Sequence, residues 1–339
     1  MSSLLGRTPF SVLDRSRTRR GEAVGAALRA TVGFAREAEG LGFRRFWVAE
    51  HHGVPGVAGS APTVLASAVA AATGRIRVGT GGVMLPNHQP MVVAEQFGVL
   101  ESLFPGRIDM GLGRSVGFTG GVREALGRGK DAAAGFPEQL AELLGYFTGE
   151  QAVHPDVHAR PAEGLRPAPF VLATGEGAGI AARAGVPLVI ALFGGEERTL
   201  RAIEEYRAQF RPSVWSAEPY VMLAGAVAVG EDEADAERLL LPEAWSAAYS
   251  RTHGVFPPLV SAEEVAGIAM TAKERGYFEE ALRGQIRGTA DRVAAELEGL
   301  LGRTGADEFM VTTSTYDRAE QSAAYARLAA LTAPVAAAR

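Results

Sequence analysis

Cysteine is absent from all 339 residues, which excludes disulfides, thiolate metal sites and a cysteine nucleophile. Histidine is scarce, at six. No apolar run reaches the roughly 20 residues that a membrane helix needs; the longest, such as PLVIALF (187–193), are the size of a strand. The first residues, MSSLLGRTPFSVLDRSRTRR, hold no apolar stretch of signal-peptide type, so a cytoplasmic location is expected. Basic charge is not in excess either. With 34 Lys and Arg against 39 Asp and Glu, the net charge of −5 argues against a nucleic-acid or anionic-membrane surface. The local exception is the cluster Arg15, Arg17, Arg19 and Arg20, expected to be a solvated loop.

What the chain does have is apolar material, 47% of residues, arranged in a regular alternation. FSVLD (10–14) reads as a strand, and GEAVGAALRATVGFAREAEGLG (21–42) carries apolar residues at helical spacing before a Gly stop. RFWVAE (45–50), RIRVGTGGVML (75–85) and RIDMGLG (107–113) are strands, separated by helices over 61–73 and 90–104. A helix over 136–147 precedes a Pro-rich excursion, and FVLAT (170–174), PLVIALF (187–193), PYVMLAGAVAV (219–229) and DEFMVTTST (307–315) complete eight strands. Strand-then-helix units imply parallel strands with right-handed crossovers. The expectation is an α/β chain, a (β/α)8 TIM barrel in a single domain over 1–339, with insertions near 151–169 and 240–271. A doubly wound open sheet is the competing topology.

In FWVAEHH (46–52), two of the six histidines follow a carboxylate at the end of a strand. If that strand continued, His51 and His52 would point to opposite faces and could not share a metal. His88, His154, His158 and His253 are scattered, so no metal site is expected. The C-terminal end of a barrel strand is where catalytic side chains sit, so Glu50, His51 and His52 suit proton handling. A packing role, with Glu50 holding the histidines, is equally open. GTGGVMLP (79–86) allows either close approach of a flat ligand or a tight bulge. GLGRS (111–115) offers Arg114 to an anion, and ATGEGAG (173–179), ahead of a helix, offers backbone N–H groups to a phosphate.

Together, WVAEHH, the block from SAPTVLASAVAAATGRIRVGTGGVMLPNHQPMVVAEQFGVLESLFPGRIDMGLGRS and the later GVP after a helix resemble the bacterial luciferase-like flavin monooxygenase family. The match is dense from 43 to 115 and most resembles the branch that includes natural-product tailoring oxygenases. The resemblance implies a barrel that takes reduced FMN from a separate NAD(P)H-dependent flavin reductase, forms a C4a-peroxyflavin with O2 and oxygenates an organic substrate. By position, His51 falls on the family's proton-handling histidine, with Glu50 or His52 to orient it. Gly81 and Gly82 fall on a non-proline cis peptide beneath the flavin. Arg114 falls on the phosphate arginine and Thr174 on a phosphate hydroxyl, with Gly175 and Gly177 in the same loop. Members commonly form homodimers, and the helix over 61–73 is apolar enough for such packing. Gly113 stands where the luciferases carry a reactive cysteine, so light emission is not implied. Glu176 in the phosphate loop would repel a phosphate unless turned outward, which implies weak flavin binding. Val83, Met84, Phe118, Phe193 and the 240–271 insertion are candidate walls for a largely apolar substrate. The alternatives are an enzyme of the same fold using the deazaflavin F420, and a non-catalytic flavin-binding relative.

Overall fold

The computed structural model describes residues 3–175, 177–192 and 195–332. Their strands are β1 (Phe10–Asp14), β2 (Arg45–Val48), β3 (Arg77–Thr80), β4 (Val83–Met84), β5 (Ile108–Gly113), β6 (Ala168–Ala173), β7 (Leu188–Ala191), β8 (Val221–Gly225), β9 (Val227–Val229), β10 (Ile286–Gly288) and β11 (Glu308–Val311). The helices are α1 (Val24–Gly40), α2 (Pro62–Ala72), α3 (Pro90–Leu103), α4 (Gly120–Ala125), α5 (Phe136–Thr148), α6 (Gly177–Ala184), α7 (Glu196–Gln209), α8 (Glu233–His253), α9 (Ala262–Gly267), α10 (Ala272–Arg283), α11 (Ala290–Thr304) and α12 (Arg318–Thr332).

Every pairing in the main sheet is parallel, in the order β3-β2-β1-β11-β8-β7-β6-β5, and β3 also pairs with β5. The sheet therefore closes on itself as an eight-stranded barrel, and the open-sheet alternative falls away. Strands buried on both faces read as near-continuous apolar runs, as RFWV and LVIA do.

The barrel floor is polar. Arg45 bonds Asp109 at 2.8 and 2.9 Å and Glu308 at 3.0 and 3.1 Å. Trp47 Nε1 and Arg77 also donate to Asp109, and the Tyr220 hydroxyl donates to Glu308. Arg45, Asp109 and Glu308 lie at the N-terminal ends of their strands, where a barrel invests in stability rather than chemistry.

Three sequence expectations change in detail. The strand expected over 75–85 breaks after Thr80, at a cis peptide between Gly81 and Gly82, and resumes as β4. The neighbouring β5 runs so close that a Cβ on Gly111 would stand 1.8 Å from the Thr80 carbonyl oxygen. The strand expected over 219–229 divides at Ala226. Its second half leaves the barrel to pair with β10, a three-residue strand too short to be seen by periodicity. The 240–271 stretch is mostly helical, with α8 capped by Asp232 and α10 opened by a capping box of Thr271 and Glu274.

The arginine cluster is the largest departure. Arg17 and Arg19 are buried, not solvated. Backbone bridges Arg17↔Val57 and Arg19↔Leu259 tie this segment to the loop after β2 and to the turn before α9. Of the four, Arg20 is the one left well exposed, paired with Glu264.

Candidate active site

A cavity of about 1670 Å³ opens at the C-terminal ends of the barrel strands. Glu50, His51, His52, Gly81, Gly82, Arg114, Thr174, Gly175 and Gly177 all line it, so the fold gathers residues spread over 128 positions onto one wall system. A single drug-sized ligand usually occupies about 300–1,000 Å³. This volume has room for a flavin and a second molecule.

β2 ends at Val48, so strand alternation does not extend to the histidines. His51 is placed by its backbone, whose N–H donates to the Gly59 carbonyl at 2.8 Å. Its Nδ1 is buried and has no hydrogen-bond partner. Burial, reinforced by the nearby Arg15 and Arg17, pushes the His51 imidazole down to about 4, so the ring is neutral at ordinary pH.

Glu50 does not orient His51. Its buried carboxylate accepts Nε2–H of His52 at 2.7 Å and of His88 at 2.8 Å on one oxygen, and the Met84 N–H at 2.9 Å on the other. A carboxylate only accepts, so both imidazoles donate here. These bonds hold Glu50 down to about 2 despite its burial. They also tie the end of β2 to β4, just beyond the Gly81–Gly82 bend. His52 is thus a partner of Glu50. His88, which looks remote in sequence, joins the site because the short turn after β4 swings back. Glu50, His52 and His88 each offer a ligand-type atom within 4.8 Å of the others, but direct hydrogen bonds satisfy that arrangement.

Arg114 and the Thr174–Gly175 turn face the same space, and α6 begins at Gly177 with its N-terminus toward it. Arg198, from α7, reaches this turn: a Cβ on Gly175 would stand 3.0 Å from its Nη2. No sequence signal marked Arg198. Among the candidate walls, Met84 and Phe118 line the cavity, while Val83 is core. Phe118 packs against Phe256 with ring centroids 5.2 Å apart, and the Phe256 ring stands 6.4 Å from that of His51. From the 240–271 stretch, Glu243, Ala244, Ala247 and Arg251 also contribute. Phe193 and Glu176 fall outside the described residues.

A closed parallel barrel with a spacious mouth, a neutral, half-buried histidine and a helix N-terminus beside arginines defines a ligand-binding barrel enzyme. Comparison with known proteins makes this specific. The chain matches the luciferase-like monooxygenase family model over residues 8–331 and belongs to that family. It is similar to a luciferase-like monooxygenase of Escherichia coli K12, at 34% identity over 314 residues, covering 91% of this chain and 92% of the relative. It is also similar to the N-acetyl-S-alkylcysteine monooxygenase of Bacillus subtilis 168, at 34% identity over 326 residues, covering 93% of this chain and 96% of the relative. The crystal structure of apo-MsnO8 superposes with a TM-score of 0.83 at 28% identity, covering 97% of this chain and 98% of that one. The protein is a luciferase-like, flavin-dependent monooxygenase.

Proposed function

We propose that the protein uses reduced FMN, delivered by an NAD(P)H-dependent flavin reductase, and O2 to hydroxylate or epoxidise an organic substrate of natural-product size. The observation that carries this reading is the orphaned Nδ1 of a neutral His51 on the wall of a cavity large enough for two ligands.

Reduced FMN, when bound, supplies the electrons and the ring at which O2 is activated. The residues present suit it. Arg114, Thr174, Gly175, Gly177 and Arg198 line the cavity, where positive charge and the N-terminus of α6 would hold a phosphate. Gly81 and Gly82 leave the wall without side chains where a flat ring would lie. His51 accepts a proton at Nδ1, the buried nitrogen that nothing else occupies. Glu50, His52 and His88 brace the wall rather than the base. Met84, Phe118 and Phe256 present apolar surface to the reacting centre, which limits water there and with it the unproductive release of hydrogen peroxide. The same reading includes a homodimer formed through α2 and α3.

The test is an anaerobic titration with reduced FMN and with reduced F420, followed by oxygen-dependent turnover. FMN should bind more tightly. His51→Ala should keep FMN affinity within about threefold while coupled product formation falls at least ~100-fold, the usual worth of a positioned acid–base group. Preference for F420 would overturn the cofactor assignment, and wild-type coupling in His51→Ala would remove the proton role.

A further inference from the structure

Three guanidinium groups within five residues lie at the cavity wall or behind it, and their hydrogen-bond partners are nearly all neutral. Arg15 binds the Glu243 carboxylate and the Thr312 carbonyl at 2.7 Å. Arg17 donates to the Ser246 hydroxyl and, at 3.4 Å, to the Pro257 carbonyl. Arg19 donates to the carbonyls of Tyr316, Arg17 and Thr315 and to the Gln321 side-chain oxygen. Other carboxylates lie nearby: Asp14, which accepts from the Thr31 hydroxyl, and, around Arg19, Asp317 and Glu22, the latter paired with Arg318. Among the described residues Arg17 bonds no carboxylate, and the charges that bear on it are those of Arg15 and Arg19, a setting in which a buried charge is costly. Burial and the mutual repulsion with Arg15 and Arg19 push Arg17 down to about 9.

Two more observations point to where an anion would be favoured. The Nε atoms of Arg15 and Arg17 are buried without a partner, as is Nδ1 of His51. Arg15 also lines the cavity beside His51 and Phe256, and the Arg17 guanidinium lies 5.7 Å from the Phe256 ring centroid, behind it. The other acidic groups on this side are accounted for: Glu280 pairs with Arg251 at 2.6 Å, and Glu243 also accepts the Ser314 N–H.

We propose that the substrate carries a carboxylate, which docks on Arg15 at the end of the cavity beside His51, with Arg17 behind it supplying the field. A carboxylate suits the planar guanidinium donors. The apolar body of the substrate then extends along Phe256, Phe118 and Met84. This inference rests on the reading of the cavity as the active site, and it does not require the flavin to be FMN.

Benzoate and benzamide have nearly the same shape and differ in charge, so calorimetric titration of each into the full-length protein tests the site. Benzoate should bind at least tenfold more tightly. Removing Arg15 alone would strand Glu243, so the informative variant is Arg15→Met combined with Glu243→Gln, in which the preference should vanish. It should survive in Arg114→Ala, which separates this anion site from the proposed phosphate end. Equal binding of the two probes, binding of neither, or a preference that depends on Arg114 and not on Arg15 would each overturn the proposal. FMN titrated in parallel reads the cofactor assignment separately: a protein that prefers benzoate but does not bind FMN keeps the anion site and loses the flavin role.

Discussion

At the scale of single residues, the environment decides the protonation of the two groups at the heart of the site. His51 sits with its Nδ1 buried and two arginines near it, which hold its imidazole near 4 in the folded protein against 6.5 in the free side chain. Between those values the unfolded chain binds a proton that the folded chain refuses, so stability falls as pH drops from 6.5 toward 4. Glu50 works in the next window. With its folded value near 2 against 4.5, its contribution is complete above 4.5 and is lost as pH falls toward 2. Urea denaturation of the wild type should therefore show a loss on the order of 2 kcal/mol between pH 7 and 4.5. His51→Ala should flatten that limb, and an unchanged slope in the variant would mean that His51 is not the group responsible. The residues legible in advance were those whose neighbours in sequence already marked a strand end. His88 and Arg198 were not, because what makes them relevant is the approach of Glu50 and Gly175 across the fold.

The barrel strands divide their labour between two ends. At the N-terminal end, Arg45 on β2 joins Asp109 on β5 to Glu308 on β11, with all three side chains nearly excluded from water. Removing one partner leaves a buried charge without compensation, so Asp109→Ala should cost about 3–5 kcal/mol in a denaturation experiment. Flavin affinity measured well below the melting temperature should hardly change, because the chemistry is at the other end. A loss below about 1 kcal/mol would show that the network is dispensable. Periodicity revealed these elements well where a strand is bounded by turns, as in β1, β6 and β7. It failed where an element is bent or ended by its neighbour: β3 and β4 read as one strand, and β9 reads as the continuation of β8 although it pairs with β10.

On the scale of the whole molecule, the outer faces of α2 and α3 carry apolar side chains that the monomer leaves in water. Val92, Val99 and Leu103 are seven and eleven positions apart, so they share one face of α3, and exposed Val64 stands on the adjoining α2. The homodimer proposed above would cover them. Light scattering coupled to size-exclusion chromatography should give a dimer at micromolar concentration, weakened at least tenfold by Leu103→Glu. A wild-type monomer under those conditions would sink the proposal. Among the described residues no helix is long and apolar enough to cross a membrane, in keeping with the short apolar runs of the sequence.

The amino-acid sequence by itself determined the barrel, because eight apolar segments alternating with amphipathic ones have few other ways to bury their faces. It also marked the strand ends where the site lies, since AEHH, GTGG and GLGR each combine a reactive or glycine-rich turn with a preceding apolar strand. Only the tertiary structure decided which groups meet. It gave the Glu50 carboxylate to His52 and His88, left Nδ1 of His51 without a partner, and drew Arg15 from an expected surface loop into the wall of the cavity, with Arg17 and Arg19 buried behind it. Periodicity reports which face of an element is apolar. The charge around a side chain depends on segments distant in sequence, and those are brought together only by closing the barrel and folding α8 over its mouth.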